Sequence, residues 1–227
     1  MNYFAHARRF LDRPYFAAGT GVPDWLSVVD RRVRVRQKHA EPFLTHDDEI
    51  VRAVAGGAIQ HLIDDDWFHR TRAFGELSWQ FTVACRDALP GDDGLRPRFL
   101  GHILVELLLD DALSKENPGL LDAYHDMLDG IDPLAVQNAV NLIALRPAEH
   151  LAYMIDQFRK LRILEDYADD DRLLKRLNQV MKRVKLQPLP ETFKDVFPAA
   201  RQAVIERKGE LLEGENKNDN SQHSPET

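Results

Sequence analysis

Apolar residues recur at intervals of three and four along most of the chain, which places them on one face of an α-helix. No segment alternates apolar and polar residues over the length of a strand. Helices are predicted over residues 2–11, from 47 to 64 and beyond, and over 74–88, 98–114, 120–128, 133–145, 148–167, 170–184 and 199–212, with a loop after the first in which Gly19, Gly21 and Pro23 make turns. The pattern therefore predicts an all-α fold, a multi-helix bundle.

The second of these helices carries potential metal ligands. His61, Asp65 and His69 are spaced four residues apart, so all three project from one helical face. Imidazole nitrogens and carboxylate oxygens are the ligands that a zinc-like cation uses. Gly56 and Gly57, one turn earlier, would let a neighbouring helix approach closely. The alternative interpretation is a solvated acidic stripe with incidental histidines.

A second segment, residues 99–110, has the same four-residue spacing in His102, Glu106 and Asp110. This helix is apolar almost all round and is therefore predicted to be buried, where a glutamate without partners costs several kcal/mol. Coordination of a metal by His102 and Glu106 would remove that cost, although a His–Glu hydrogen bond in the core is the alternative. Asp110 either orients a ligand imidazole or begins an exposed helix end with Asp111.

Composition limits the class of protein. The net charge is −7, and acidic residues after Gly209 account for much of it, so the sequence predicts no broad nucleic-acid-binding surface. The single cysteine, Cys85, excludes a disulfide framework within the chain. Neither a secretory signal nor an apolar run of roughly 18 residues is present. We expect a cytoplasmic protein with one helical metal-binding domain over residues 1–212 and a disordered acidic tail over residues 213–227.

Taken in order, the candidate ligands resemble those of the zinc-dependent phospholipase C and single-strand nuclease superfamily. The series is His6, Asp24, His39, His61, Asp65, His69, His102 and Glu106. Its most specific parts are the two helical pairs, His61 with Asp65 and His102 with Glu106. Residues 19–24 also resemble the Gly-x-x-x-Pro-Asp loop of the phospholipase-like members. The resemblance implies an all-helical fold of that type around a cluster of two or three zinc ions.

The same resemblance implies a metal-dependent phosphoesterase, a hydrolase that activates water on a phosphoester substrate. Asp65 would be the bridging carboxylate, and Asp24 a ligand or the base that orients the attacking hydroxide. Manganese or iron could replace zinc in a cytoplasmic protein. Secreted members bind the third zinc ion through the amino group of an N-terminal tryptophan, where this chain has Met1, so the number of ions stays open.

Two alternatives remain. Residues 1–6, Asp24, His61 with Asp65, and residues 110–113 are similar to bacterial acyl-carrier-protein phosphodiesterases, which are small helical metal-dependent hydrolases. The second alternative is a helical protein that binds metal without catalysis, because residues 135–212 show no chemistry in the sequence. Trp25 and Trp67 lie beside candidate ligands and could line a substrate pocket, although packing in the helical core is the commoner role of such aromatic residues.

Overall fold

The computed structural model describes residues 1–92 and 95–215, and within these ranges the chain is helical without any strand. The all-α prediction is confirmed. The α-helices are α1 (Tyr3–Ala7), α2 (Pro14–Val29), α3 (Gln37–Ala40), α4 (Glu49–Phe68), α5 (Arg72–Ala88), α6 (Leu95–Glu116), α7 (Pro118–Gly130), α8 (Pro133–Ile143), α9 (Leu151–Leu161), α10 (Asp170–Arg183) and α11 (Phe197–Leu211). Short 3₁₀ helices span Glu41–Thr45, Ile163–Ala168 and Glu191–Val196.

The largest error in the predicted elements is the loop after the first helix, most of which is the sixteen-residue helix α2. Pro14 opens this helix, where a missing backbone N–H costs nothing, and Pro23 lies inside it. Gly19 is a packing position rather than a turn, because a Cβ there would lie 2.7 Å from the backbone oxygen of Val54. The predicted helix over residues 148–167 is also divided, at Arg162, whose φ of 41° is left-handed.

Contacts between residues cluster into two units. Unit 1 contains Met1, Asp64–Ala112 and the described chain from Asp166, and unit 2 contains Asn2–Ile63 and Leu113–Glu165. The boundaries fall within α4 and near the end of α6, so each of these helices contributes to both units. Whether residues 1–212 fold as one domain stays a prediction.

In unit 2 the helices α2 and α4 approach each other closely. A Cβ at Gly57 of α4 would lie 2.1 Å from the backbone oxygen of Phe16 and 2.8 Å from the Cα of Gly19, so the two backbones are in direct contact. The prediction that the glycines of α4 admit a neighbouring helix is confirmed. Trp25 is fully buried in this unit and packs against Tyr3 and Phe158, with ring centroids 6.2 Å and 5.5 Å away. Its role is therefore core packing.

Unit 1 contains a second close crossing, between α5 and α6. A Cβ at Gly101 would lie 2.5 Å from the backbone oxygen of Ser78 and 2.7 Å from the backbone nitrogen of Thr82. This contact brings the backbones of α5 and α6 together at the residue that precedes His102. In the same unit Gly214 is buried against the indole of Trp67. The predicted disordered tail begins at residue 213, and its residues from 216 onward lie outside the described part of the chain.

None of the helices in the described part of the chain combines the length and the apolar character that crossing a membrane would require.

Candidate metal site

The two most deeply buried histidines of the series pair in unit 2. His6 of α1 and His61 of α4 have exposed fractions of 0% and 3%, and their rings stack with centroids 4.1 Å apart. His61 Nδ1 lies 2.8 Å from the backbone oxygen of Thr20. Because a carbonyl oxygen can only accept, Nδ1 carries the proton, and Nε2 is the unprotonated nitrogen of the ring. Asp65 follows His61 by one turn of the same helix.

Three further candidates converge in unit 1. His69 Nε2 lies 3.0 Å from Glu106 Oε1, and His102 Nε2 lies 3.5 Å from the same oxygen. One ligand atom from each of these residues lies within 4.8 Å of the other two. Two imidazole nitrogens and one carboxylate oxygen at this spacing form a donor set that fits zinc, manganese or iron. The structure therefore brings His69 together with the second predicted pair.

The α-amino nitrogen of Met1 also belongs to this region of unit 1. It donates a hydrogen bond to Asp65 Oδ1 at 2.7 Å and one to Glu106 Oε1 at 3.3 Å. Burial alone would raise the pKa of the Glu106 carboxyl, but the Met1 ammonium and the imidazoles of His102 and His69 lower it well below its usual range. Glu106 is therefore ionised, as a metal ligand must be.

An aromatic wall holds the unit 1 histidines in place. The ring of Phe74, at the start of α5, packs against His69 and His102 with centroid separations of 4.7 Å and 4.9 Å. Phe68 packs against Phe74 from the end of α4, at 5.0 Å. Each imidazole packs against Phe74 and against the other imidazole, which limits its rotation. Both rings are therefore oriented in the absence of a ligand.

Asp111, the residue after Asp110, has a structural partner. Its Oδ2 accepts a hydrogen bond from Arg201, which also donates to the backbone oxygen of Tyr167 and to Asp170. Asp110 and Asp111 are 1% and 2% exposed, so the alternative that they begin an exposed helix end is wrong. Because the Arg201 guanidinium donates to three acceptors, its ion pair with Asp111 is held in one geometry.

Two further candidates, Asp24 and His39, do not belong to either group. Asp24 is half-buried on α2, one turn after Thr20, and His39 is half-buried on α3. Neither belongs to a described group of three residues whose ligand atoms lie within 4.8 Å of one another. The roles of Asp24 and Asp65 as base and bridging ligand stay predictions. His125, interpreted as structural, is buried on α7, and its ring nitrogens have no hydrogen-bond partner among the described residues.

Sequence reasoning did not identify three groups that contact the candidate ligands. They are the Met1 nitrogen and the Phe74 ring in unit 1 and the Thr20 carbonyl in unit 2. The Met1 nitrogen and the Thr20 carbonyl are backbone groups, which no side-chain spacing reports. Phe74 has only a weak signal, an aromatic residue five positions after His69 at the start of a helix. Asp64, fully buried, accepts a hydrogen bond from Trp67 Nε1 at 3.2 Å, so the acidic run at residues 64–66 is not a uniformly solvated stripe.

Comparisons with known protein families, with characterised proteins and with solved structures find no match to this chain. The resemblances stated from the ligand series are therefore expectations, and the functional argument depends on the site itself.

Proposed function

We propose that this protein is a metal-dependent phosphoesterase, a hydrolase that uses the His, Asp and Glu side chains of α4 and α6 to hold cations beside a phosphoester. The observation that carries the proposal is the convergence of His69, His102 and Glu106 in unit 1, with mixed nitrogen and oxygen donors. Zinc is the first choice for this donor set, and manganese or iron are acceptable substitutes.

The surroundings of these residues support metal binding over an incidental polar cluster. Glu106 is ionised although only 17% exposed, and its neighbours on one side are imidazoles, which can release a proton and coordinate. In the superfamily that the sequence resembles, an N-terminal amino group is a zinc ligand, and here the Met1 nitrogen lies beside Asp65 and Glu106.

Each residue would have a distinct task in hydrolysis. A bound cation would lower the pKa of a water molecule and neutralise the charge that develops on the phosphoryl oxygens. His69, His102 and Glu106 would hold that cation, and Phe74 would keep both imidazoles in position. Asp65 would hold the proton of the attacking water. No serine or cysteine nucleophile is required, in agreement with a buried Cys85 whose pKa burial raises to about 12.

The test is metal content and turnover in matched variants. We expect purified protein to retain at least one equivalent of zinc, manganese or iron by plasma mass spectrometry and to hydrolyse a chromogenic phosphodiester. Glu106→Gln and Asp65→Asn should each lower activity at least a hundredfold. Asp66→Asn is the control, because Asp66 is the neighbouring carboxylate, 58% exposed and paired with Arg70; this variant should behave as the unmodified protein.

The ion pairs of Met1 favour one alternative function. The Met1 ammonium already neutralises the charges of Asp65 and Glu106. In a helical protein without a catalytic metal, these two carboxylates would need such a positive charge. Less than about a tenth of an equivalent of metal after reconstitution would overturn the enzyme proposal and support this polar network. Full metal content without turnover on a wide panel of phosphoesters would support a metal-binding protein that lacks catalysis.

A further inference from the structure

A cleft of about 390 Å³ lies beside the candidate metal ligands of unit 1. Its walls come from α5 and the first turns of α6, and its lining residues are Phe74, Gly75, Ser78, Trp79, Thr82, Arg98 and His102. His102 is one of the three converging ligands, so the cleft begins where a metal-bound phosphoryl group would lie. A substrate held at that position would extend its organic group along this cleft.

The α5 wall offers a flat apolar surface. The side chain of Trp79 is 63% exposed. Gly75 lies one turn earlier on the same helix face, and a Cβ there would have no heavy atom within 4 Å. The indole face is therefore open over a full helical turn, and a planar group could lie on it without displacing a side chain.

The α6 wall supplies one positive charge. Arg98 precedes His102 by one turn, so Arg98, His102 and Glu106 share a helix face. Its guanidinium is exposed and makes no hydrogen bond or ion pair with any residue in the described ranges. Among the described residues, no carboxylate lines the cleft. A guanidinium beside an open indole, without a competing acid, is complementary to an anionic oxygen attached to an aromatic group.

We propose that this cleft is the specificity site for the organic group of the substrate, and that it selects phosphoesters in which a flat aromatic ring is attached close to the phosphoryl group. The ring would stack on Trp79, and a phosphoryl oxygen would accept hydrogen bonds from Arg98 while the phosphorus faces His102. The exposure of Trp79 leaves one side of the cleft open, which suits a ring stacked on one face better than a flexible acyl chain that needs enclosure. This assignment rests on the proposed phosphoesterase function.

Binding of two inert phosphonates tests the cleft independently of turnover. We expect zinc-loaded protein to bind phenylphosphonate roughly tenfold more tightly than methylphosphonate by titration calorimetry, because stacking on an aromatic side chain contributes on that scale. Trp79→Ala should abolish this preference and leave the affinity for methylphosphonate unchanged, whereas Trp79→Phe should retain most of it. Arg98→Ala should weaken both phosphonates by a similar factor, since both present the same oxygens.

A pair of glycine variants tests the position of the ring. Gly75→Leu should fill the surface beside Trp79 and remove the preference for phenylphosphonate with unchanged zinc content. Gly209→Leu is the matched control, because Gly209 lies in α11 of the same unit and a Cβ there also meets no heavy atom within 4 Å. It should leave both affinities as they are.

Equal affinity for the two phosphonates, or a preference that survives Trp79→Ala and Gly75→Leu, would overturn the specificity assignment while the phosphoesterase proposal stood on its own activity. Binding of neither phosphonate to zinc-loaded protein would overturn it as well. Failure to bind zinc, manganese or iron would overturn the proposed function first and this inference with it.

Discussion

Glu106 and Asp111 are carboxylates five residues apart on α6, both in unit 1 and both largely buried, but their surroundings differ. Asp111 faces Arg201, a permanent cation held by three acceptors. Glu106 faces two imidazoles and an amine, groups that can lose a proton and become metal ligands. The comparison teaches that burial of an acidic residue does not by itself indicate a metal site. The groups beside the carboxylate are what make Glu106, rather than Asp111, a candidate ligand.

The largest expected change in stability comes from removing the cation that pairs with Asp111. Arg201→Met should lower the free energy of unfolding of the metal-free protein by about 3–5 kcal/mol, because it leaves an uncompensated carboxylate in the interior. Urea denaturation at pH 7 measures the loss. Adding Asp111→Leu to Arg201→Met should restore most of it. A loss below about 1 kcal/mol would mean that the pair is not the structural element described here.

The next largest effect is the stabilisation of the folded protein by zinc, which should depend on Glu106. Free zinc at about a hundred times its dissociation constant should raise the free energy of unfolding by about 2.7 kcal/mol, since it binds only the folded chain. The same increment is expected in Arg201→Met and should vanish in Glu106→Gln. Denaturation with and without zinc, on the three proteins, measures it. If Glu106→Gln keeps the increment, the cation binds elsewhere.

A smaller change in stability is expected from adding a methyl group to two glycines of unit 1. Gly101 lies where α5 and α6 are in contact, and Gly75 lies on the open surface of α5. Gly101→Ala should destabilise the protein by about 1–3 kcal/mol, because the added Cβ meets the α5 backbone at Ser78 and Thr82. It should also weaken zinc binding, since His102 is the next residue. Gly75→Ala, in open space on α5, should be neutral or stabilising by up to about 1 kcal/mol. Thermal and urea unfolding of both variants decide the matter, and equal stabilities would contradict the close approach of α5 and α6.

The smallest effect concerns His125, a buried imidazole whose Nε2 lies 3.8 Å from a carboxylate oxygen of Glu165, beyond hydrogen-bond distance. Burial lowers the pKa of His125, with the charge of Arg162 adding to the effect and Glu165 opposing it. Because the folded-state pKa is below the unfolded value, the unfolded chain takes up the proton first, and stability should fall as pH falls through about 6.5. The slope contributed by His125 should be at most about 1.4 kcal/mol per pH unit.

His125→Phe should flatten that part of the stability curve, measured by urea denaturation between pH 7.5 and 5. His46→Phe is the control, because His46 lies in the exposed segment between α3 and α4 where its Nδ1 accepts a hydrogen bond from the backbone of Asp48. An unchanged slope in His125→Phe would show that other groups produce the acid sensitivity.

Much of the fold was predictable because helices have a local signature. The apolar periodicity of residues 98–114 and 170–184 predicted α6 and α10 within three residues at each end. The exception, α2, contains glycines and prolines that normally mark turns, and close contact with α4 is what makes Gly19 and Gly57 useful inside helices. A single-sequence pattern does not contain that contact.

The candidate site divides in the same way. Four-residue spacing on α4 and α6 was sufficient to select His61, Asp65, His102 and Glu106, because an α-helix places such residues on one face. Spacing could not group His69 with His102, which depends on the α5–α6 crossing at Gly101 and on the ring of Phe74. It also could not show that Asp111 pairs with Arg201.

The sequence by itself therefore determined the helical class and the faces of α4 and α6 that carry the candidate ligands, since both follow from the geometry of one helix. The tertiary structure decided which carboxylate is compensated by a permanent cation and which by displaceable groups, and it opened the cleft beside His102. Those outcomes depend on partners distant in the chain, such as Arg201 and the Met1 nitrogen, whose positions are set by packing rather than by local spacing.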